Sequence, residues 1–202
     1  MIASAVFIVS CGKSKPTLHL YIWGDYISPE VVENFENEFN CTVKIDIFDS
    51  NEAMYAKLKA GAGGYDVVVP SSYTAVLMNK QNMLLKLDHS LLPNVTRYFD
   101  KSYSNLLLDR DLQFSVPYFV SFTGIGYNTK RVPDFEASWA MFEKNNLASR
   151  CSLLNDMREV IGVSLIRSGH SPNSTDPAEI EQAVEQALQW KKNIAKFEVD
   201  DA

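Results

Sequence analysis

Residues 17–48 read TLHLYIWGDYISPEVVENFENEFNCTVKIDIF, and this stretch decides the fold. Residues 17–23 are apolar, aromatic and β-branched, which predicts a buried strand. Ser28 and Pro29 then supply an N-cap and a first-turn proline, so a helix is predicted to begin there. Residues 42–48 alternate between apolar and polar side chains, as a strand does. A strand, a helix and a second strand in close succession predict a βαβ unit with parallel strands.

The same alternation continues along the first half of the chain. Residues 51–59 predict a helix that stops at Gly61. Residues 65–69, YDVVV, predict a short parallel strand covered on both faces, and Ser71 or Ser72 can cap the helix after it. Three strands separated by helices indicate an α/β fold with a mostly parallel sheet.

The second half predicts a further set of elements of the same kind. These are extended segments at 114–120 and 124–127, helices at 138–144, 156–168 and 176–192, and strands at 151–154 and 194–199. The last helix has the clearest start, because Asp176, Pro177 and Glu179 have the spacing of a capping box.

The composition excludes several classes of function. The chain has 202 residues, of which 46% are hydrophobic and 22% charged, and this is a globular composition. A net charge of −6 argues against a nucleic-acid partner, since phosphate binding calls for a basic patch. No nucleophile elbow, Walker loop or H-E-x-x-H motif occurs, and the three histidines stand far apart. The sequence therefore predicts neither an enzyme nor a metal or cofactor site.

The first residues bear on the compartment. Residues 8–11, Ile-Val-Ser-Cys, resemble a bacterial lipobox, so residues 1–10 are interpreted as a leader, Cys11 as the lipidated residue and residues 11–16 as a tether. A lipid on Cys11 would anchor the chain to a membrane outside the cytoplasm. The segment lacks the positive start of a signal peptide, so either translation begins upstream or the segment is a short buried strand.

The other cysteines are Cys41 and Cys151. They have no metal-type spacing, and we interpret them as small buried side chains rather than as a disulfide.

Candidate binding residues follow three of the predicted strands. In open α/β sheets a ligand binds beyond the carboxyl ends of the strands, in the loops there. Those loops hold Trp23, Asp25 and Tyr26, then Ser71 and Tyr73, then Asp156 and Glu159. Aromatic faces with carboxylates suit an extended organic cation. Each residue also has an interpretation without a ligand. In that interpretation the tryptophan belongs to the core, the first aspartate forms a turn, and the serines and the second aspartate cap helices.

Six segments carry a resemblance to a known family. They are YIWGDYISPEVVENFENEF (21–39), DSNEAMYAKLKAG (49–61), YDVVVPSSY (65–73), TGIGYN (123–128), LLNDMREV (153–160) and NSTDPAEIE (173–181). In this order they resemble the bacterial spermidine/putrescine-binding proteins, which are the solute receptors of polyamine ABC transporters. The resemblance runs from about His19 to Phe197. It implies a fold like that of type II periplasmic binding proteins, with two lobes of mostly parallel sheet and a polyamine clamped between them.

The resemblance also implies roles for the candidate residues. Trp23 and Tyr26 resemble the family's aromatic clamp, with Asp25 as an acid beside it. In the second loop, Ser71 and Tyr73 resemble residues that contact the ligand in the family. Asp156 and Glu159, which lie three residues apart, resemble the carboxylates that receive an amine in the family.

The implied layout is a first lobe over residues 17–115, a crossover over residues 116–130 and a partial second lobe over residues 131–202. Family members continue well past residue 202 with a further tryptophan wall and another acid, so we expect an incomplete second lobe. The implied partners are a polyamine, a transporter permease and, through the lipid, a membrane. The alternative is a remnant, or a sensory or interaction lobe, with weak or no polyamine binding.

Overall fold

Strand β1 (Thr17–Trp23) lies at the centre of a parallel three-stranded sheet. Strand β2 (Thr42–Phe48) pairs with β1 along its whole length, and β3 (Val67–Val68) pairs with β1 on the other side. The predicted βαβ unit and its parallel sheet are confirmed.

This computed structural model describes residues 14–198, and the chain divides into two compact units between Tyr118 and Phe119. The division falls within the predicted crossover, residues 116–130. The predicted bounds of the lobes and of the crossover stay predictions.

The helices of the first unit begin and end where local signals place them. They are α1 (Pro29–Phe39), α2 (Asn51–Lys59), α3 (Ser72–Lys80) and α4 (Pro93–Tyr98), with 3-10 helices at His89–Leu91 and Lys101–Leu106. The Ser28 hydroxyl accepts a hydrogen bond from the Val31 backbone at 3.3 Å and so caps α1. The Ser50 hydroxyl caps α2 in the same way through Ala53 at 3.1 Å. Gly61 follows α2 with a φ of +95°, which glycine adopts without strain.

The core of the first unit lies on the face of the sheet that α2 and α3 cover. Tyr21 and Phe48 point to this face from neighbouring strands, with ring centroids 5.0 Å apart in an edge-to-face arrangement. Met54 of α2 and Met78 of α3 pack against them and are almost fully buried. This core places the carboxyl end of β1 next to the start of α2.

Two elements of the first unit, α1 and β3, are largely exposed, and for β3 this corrects the prediction. Helix α1 has no buried residue, and Val31 and Phe39 on its apolar side are 54% and 57% exposed. Strand β3 is only two residues long, and Val67 is 44% exposed rather than covered on both faces. The reason is that β3 is an edge strand, since no other strand among residues 14–198 pairs with its second edge.

The second unit repeats the parallel arrangement with two strands. Strands β4 (Cys151–Leu154) and β5 (Ile194–Glu198) pair in parallel, and helices α5 (Met157–Arg167) and α6 (Pro177–Lys191) lie between them in the chain. Trp190 is completely buried in the core. The α/β class with parallel sheets is thereby confirmed in both units.

Three predictions for the second half of the chain are corrected by the structure or are covered by it only in part. The predicted helix at 138–144 is a 3-10 helix, Trp139–Glu143, and another 3-10 helix follows at Asn145–Leu147. Residues 124–127 have no regular secondary structure and pair with no strand among the described residues. The last residue of the predicted strand 194–199 lies outside the described residues.

The predicted leader, Cys11 and the first half of the predicted tether also lie outside the described residues. Within residues 14–198, no helix is both long enough and apolar enough to cross a membrane. Cys41 is buried and Cys151 is half-buried, and both thiols are free.

Candidate functional site

The seven predicted site residues all lie at the carboxyl ends of strands. Trp23 is the last residue of β1, and Asp25 and Tyr26 follow it. The second loop follows β3 and the third follows β4, so the placement that the sequence predicted holds within each unit.

The loop after β1 combines an aromatic surface with an exposed acid. The half-buried Trp23 packs on Phe48, with ring centroids 4.6 Å apart, and Tyr26 lies 6.3 Å from Trp23 by the same measure. Asp25 is exposed and has a φ of +56°, a left-handed conformation that aspartate tolerates in turns. The Tyr118 hydroxyl donates to the Tyr26 carbonyl at 2.6 Å and ties the loop to the end of the first unit. Trp23 thus contacts the core and is still not fully buried.

The loop after β3 is held by a residue that sequence reasoning missed. Asn51, the first residue of α2, donates from Nδ2 to the Ser71 hydroxyl at 3.0 Å and to the Tyr73 hydroxyl at 2.7 Å. The Ser71 backbone N–H donates to Asn51 Oδ1 at 3.0 Å. The signal was present, because Asn51 lies in the segment 49–61, but its position after the Ser50 cap indicates only a helix start.

The interpretation of Ser71 as a helix cap is correct for its position and wrong for its side chain. Ser71 occupies the N-cap position of α3, yet its side chain makes no capping hydrogen bond. Its hydroxyl is engaged by Asn51 instead. The Ser71 hydroxyl is therefore positioned by the neighbouring element α2 and not by the helix that it precedes.

In the second unit, the two predicted carboxylates lie at the N-terminus of α5. Asp156 is the N-cap, and its Oδ1 accepts from the Glu159 backbone at 3.0 Å. The Glu159 carboxylate accepts from the Thr123 hydroxyl at 2.5 Å, so Thr123 is a second neighbour of the site that sequence reasoning did not single out. Both acids are half-buried, and the helix N-terminus favours negative charge there. The capping interpretation of Asp156 is correct, and Glu159 offers the carboxylate with more freedom to meet a ligand.

A cavity of about 690 Å³ within the second unit borders Glu159. Its walls are mixed: four aromatic rings line it, from Tyr127, Phe135, Trp139 and Phe142, and Arg131 and Arg150 also border it. Tyr127 and Phe135 stack with centroids 3.8 Å apart. This unit therefore places a carboxylate beside apolar rings, the combination that a cation with a hydrocarbon chain requires.

The cysteine that borders this cavity has a thiol that ionises less readily than usual. Burial raises the pKa of the Cys151 thiol, which also borders the cavity, and the Arg150 charge offsets this only in part. Within residues 14–198, no three histidine, cysteine or acidic side chains come together as metal ligands.

The chain is similar to proteins of known function over most of its length. It is 37% identical over 191 residues to spermidine/putrescine-binding periplasmic protein 1 of Haemophilus influenzae, and the match covers 93% of this chain and 53% of that protein. The solved TpPotD lipoprotein of Treponema pallidum matches with a TM-score of 0.84 and 37% identity over 91% of this chain and 58% of that one. No family model matches the chain.

A second solved structure agrees with these two. The spermidine/putrescine ABC transporter substrate-binding protein PotD of Streptococcus pneumoniae matches with a TM-score of 0.72 and 34% identity, covering 92% of this chain and 57% of that one. The chain spans about half the length of the curated relatives it matches. Over the part that it spans, the chain belongs to the family of the spermidine/putrescine-binding periplasmic proteins and has the type II periplasmic-binding-protein fold.

Proposed function

We propose that the chain binds a polyamine such as spermidine or putrescine outside the cytoplasm and serves ABC-type import. The observation that supports this most is the placement of the candidate residues, which all follow the carboxyl ends of β1, β3 and β4. Two of the relatives named above, those from Haemophilus influenzae and Streptococcus pneumoniae, carry these ligands in their names.

The proposed ligand contacts follow from the chemistry of each residue. Trp23 and Tyr26 offer aromatic faces to a methylene chain or an ammonium group, with Asp25 as a counter-charge nearby. The hydroxyls of Ser71 and Tyr73 accept hydrogen bonds from an amine. In the second unit, Asp156 and Glu159 supply negative charge for another amine. Within each unit, these carboxylates and aromatic faces favour an ammonium group over a neutral or anionic group.

Calorimetric titration of the purified chain with putrescine and spermidine tests this proposal. Butane-1,4-diol, which has the length of putrescine without its charges, is the matched control ligand. We expect binding of at least one polyamine, weaker at higher salt because exposed charges are screened, and no binding of the diol. Absence of binding by both polyamines would overturn the proposal and favour a remnant or interaction lobe.

We further propose that the protein works with a transporter permease and is held at a membrane through lipid on Cys11. Its relatives support the first part, since one of them is named as an ABC transporter substrate-binding protein. The lipobox-like residues 8–11 support the second, as does the description of the Treponema pallidum relative as a lipoprotein.

The lipid proposal predicts that labelled palmitate is incorporated through Cys11. In a bacterial host, with the chain expressed from its native upstream sequence, the wild type should carry the label and Cys11→Ser should not. Cys41→Ser is the control, since that buried thiol is not expected to be acylated. Equal labelling of wild type and Cys11→Ser, or no labelling of either, contradicts the assignment.

A further inference from the structure

Asn51 is almost fully buried, at 2% exposure, and its side chain makes three hydrogen bonds. Its orientation follows from one of them. The Ser71 backbone N–H can only donate, so the Asn51 atom that faces it at 3.0 Å must be the oxygen. The amide nitrogen therefore faces the Ser71 and Tyr73 hydroxyls, and both of its hydrogens are used.

This polarity determines what the Ser71 hydroxyl can do. A free hydroxyl rotates and both donates and accepts. Here its oxygen receives one hydrogen from Asn51, so the Ser71 hydroxyl cannot donate toward Asn51, and its second lone pair points away from the amide. The hydroxyl is also not used to cap α3, although Ser71 holds that position. The arrangement leaves the Ser71 hydrogen and one lone pair facing away from Asn51, so the oxygen can accept one further hydrogen bond.

We propose that Asn51 is the positioning residue of the loop after β3, holding the Ser71 and Tyr73 hydroxyls in the orientation that accepts hydrogen bonds from a ligand's ammonium group. The proposal rests on the proposed function and adds a residue to it. Asn51 itself is buried and acts through the two hydroxyls. Orienting them before the ligand arrives lowers the ordering cost of binding.

A double-mutant cycle in polyamine affinity tests the proposal. We expect Asn51→Ala and Ser71→Ala each to weaken binding about tenfold, since the first removes the group that orients the acceptor and the second removes the acceptor itself. If Asn51 acts through Ser71, the double variant should also lose about tenfold, whereas independent effects would multiply to about a hundredfold. Additive losses overturn the proposal. If Asn51→Ala does not fold, Asn51→Ser, which has one donor instead of two, replaces it with the same expected result.

Ser50→Ala is the matched control. The Ser50 hydroxyl caps the same helix end by accepting from the Ala53 backbone N–H. We expect Ser50→Ala to lower the melting temperature and to leave the affinity unchanged. Equal affinity losses in Ser50→Ala and Asn51→Ala would show that only the stability of α2 matters, and would overturn the proposal.

A measurement without ligand separates this proposal from the proposed function. In protein labelled with ¹³C at the tyrosine rings, Tyr73→Phe identifies the Tyr73 signal. We expect that signal to shift in Asn51→Ala and to stay in place in Ser50→Ala, and an unmoved signal in Asn51→Ala overturns the positioning role. If the wild type binds neither polyamine while the signal shifts, the proposed function fails and the ordering of the hydroxyl by Asn51 stands.

Discussion

At the scale of single residues, the Glu159 carboxylate and the Trp23 ring offer two different attractions to a cation. Glu159 is half-buried and accepts one hydrogen bond from Thr123, and its carboxylate has capacity for more. Trp23 packs one part of its ring on Phe48. A charge-assisted hydrogen bond contributes roughly 1.5–3 kcal/mol, and a cation over an aromatic face roughly 0.5–2 kcal/mol.

We therefore predict that Glu159→Gln weakens polyamine binding at least tenfold, which corresponds to about 1.4 kcal/mol, and that Trp23→Phe weakens it by only about threefold because an aromatic face remains. Calorimetry at two salt concentrations provides the measurement. Glu181→Gln on the exposed side of α6 removes the same charge and serves as the control, with no expected change. An unchanged affinity in Glu159→Gln would remove Glu159 from the site.

Asp109 is a residue whose role is structural. It is buried, and its carboxylate accepts from the backbone N–H groups of Gln113, Phe114 and Ser115, each at 2.9 Å, and from the Ser115 hydroxyl at 3.0 Å. Burial alone would raise the pKa of Asp109, but these hydrogen bonds outweigh it and hold the pKa below its ordinary value. The ionised carboxylate therefore stabilises this loop of the first unit.

The sign of the pH dependence follows from the lowered pKa. The stabilisation is present above the unfolded pKa of about 4 and is lost as the pH falls through the folded value. Asp109→Asn should cost roughly 1–3 kcal/mol near pH 7, and the difference from wild type should shrink at pH 3. Melting temperatures of the wild type and of Asp109→Asn, taken near pH 7 and at pH 3, measure this difference. Asp111→Asn, on the exposed side of the same loop, is the control, and a constant difference for Asp109→Asn contradicts the assignment.

At the scale of elements, the start of α6 shows how far a local pattern reaches. Asp176 accepts from the backbone N–H groups of Ala178 at 2.8 Å and Glu179 at 3.5 Å, so the predicted N-cap is confirmed. The reciprocal bond of a capping box is not made. The Glu179 carboxylate instead accepts from the Ser174 hydroxyl and lies 3.3 Å from the His170 ring.

The cap predicts a specific loss of stability. Asp176→Ala should cost about 1 kcal/mol, because two backbone donors at the helix start lose their acceptor, whereas Asp176→Asn should cost much less. Urea unfolding followed by circular dichroism measures both. Glu185→Ala, an exposed substitution in the middle of α6, should change stability by less than about 0.5 kcal/mol. Equal effects of Asp176→Ala and Glu185→Ala would show that the cap contributes nothing.

At the scale of the whole molecule, the two sheets differ in how their strands are paired. In the first unit β1 has a partner on each side, while in the second unit β4 and β5 have only each other among residues 14–198. Backbone groups on an unpaired edge are open to water, and such regions open locally at low cost.

Hydrogen exchange should therefore be slowest in β1 and faster in both β4 and β5. Mass spectrometry of peptides covering Thr17–Trp23, Cys151–Leu154 and Ile194–Glu198 makes the comparison, with the intrinsic rates taken from the unfolded chain. Protection of β4 and β5 as long-lived as that of β1 would contradict this reading of the edges.

The sequence by itself determined the elements and the placement of the candidate residues. The bounds of β1, β2 and α2 were predicted to the residue, because alternation, capping serines and a glycine stop act between neighbours in the chain. The order of strands and helices predicted parallel sheets, and so it placed the candidate residues at strand ends. The family segments then indicated the ligand class.

Only the tertiary structure decided what individual side chains do. The Ser71 hydroxyl is a helix cap by its sequence position but is held by Asn51, twenty residues earlier in the chain. Helix α1 carries apolar side chains on one side, yet none of its residues is buried. Hydrogen bonding and burial depend on which distant segments the sheet brings together. Local periodicity carries no information about those segments, since it reports only on neighbours along one helix or strand.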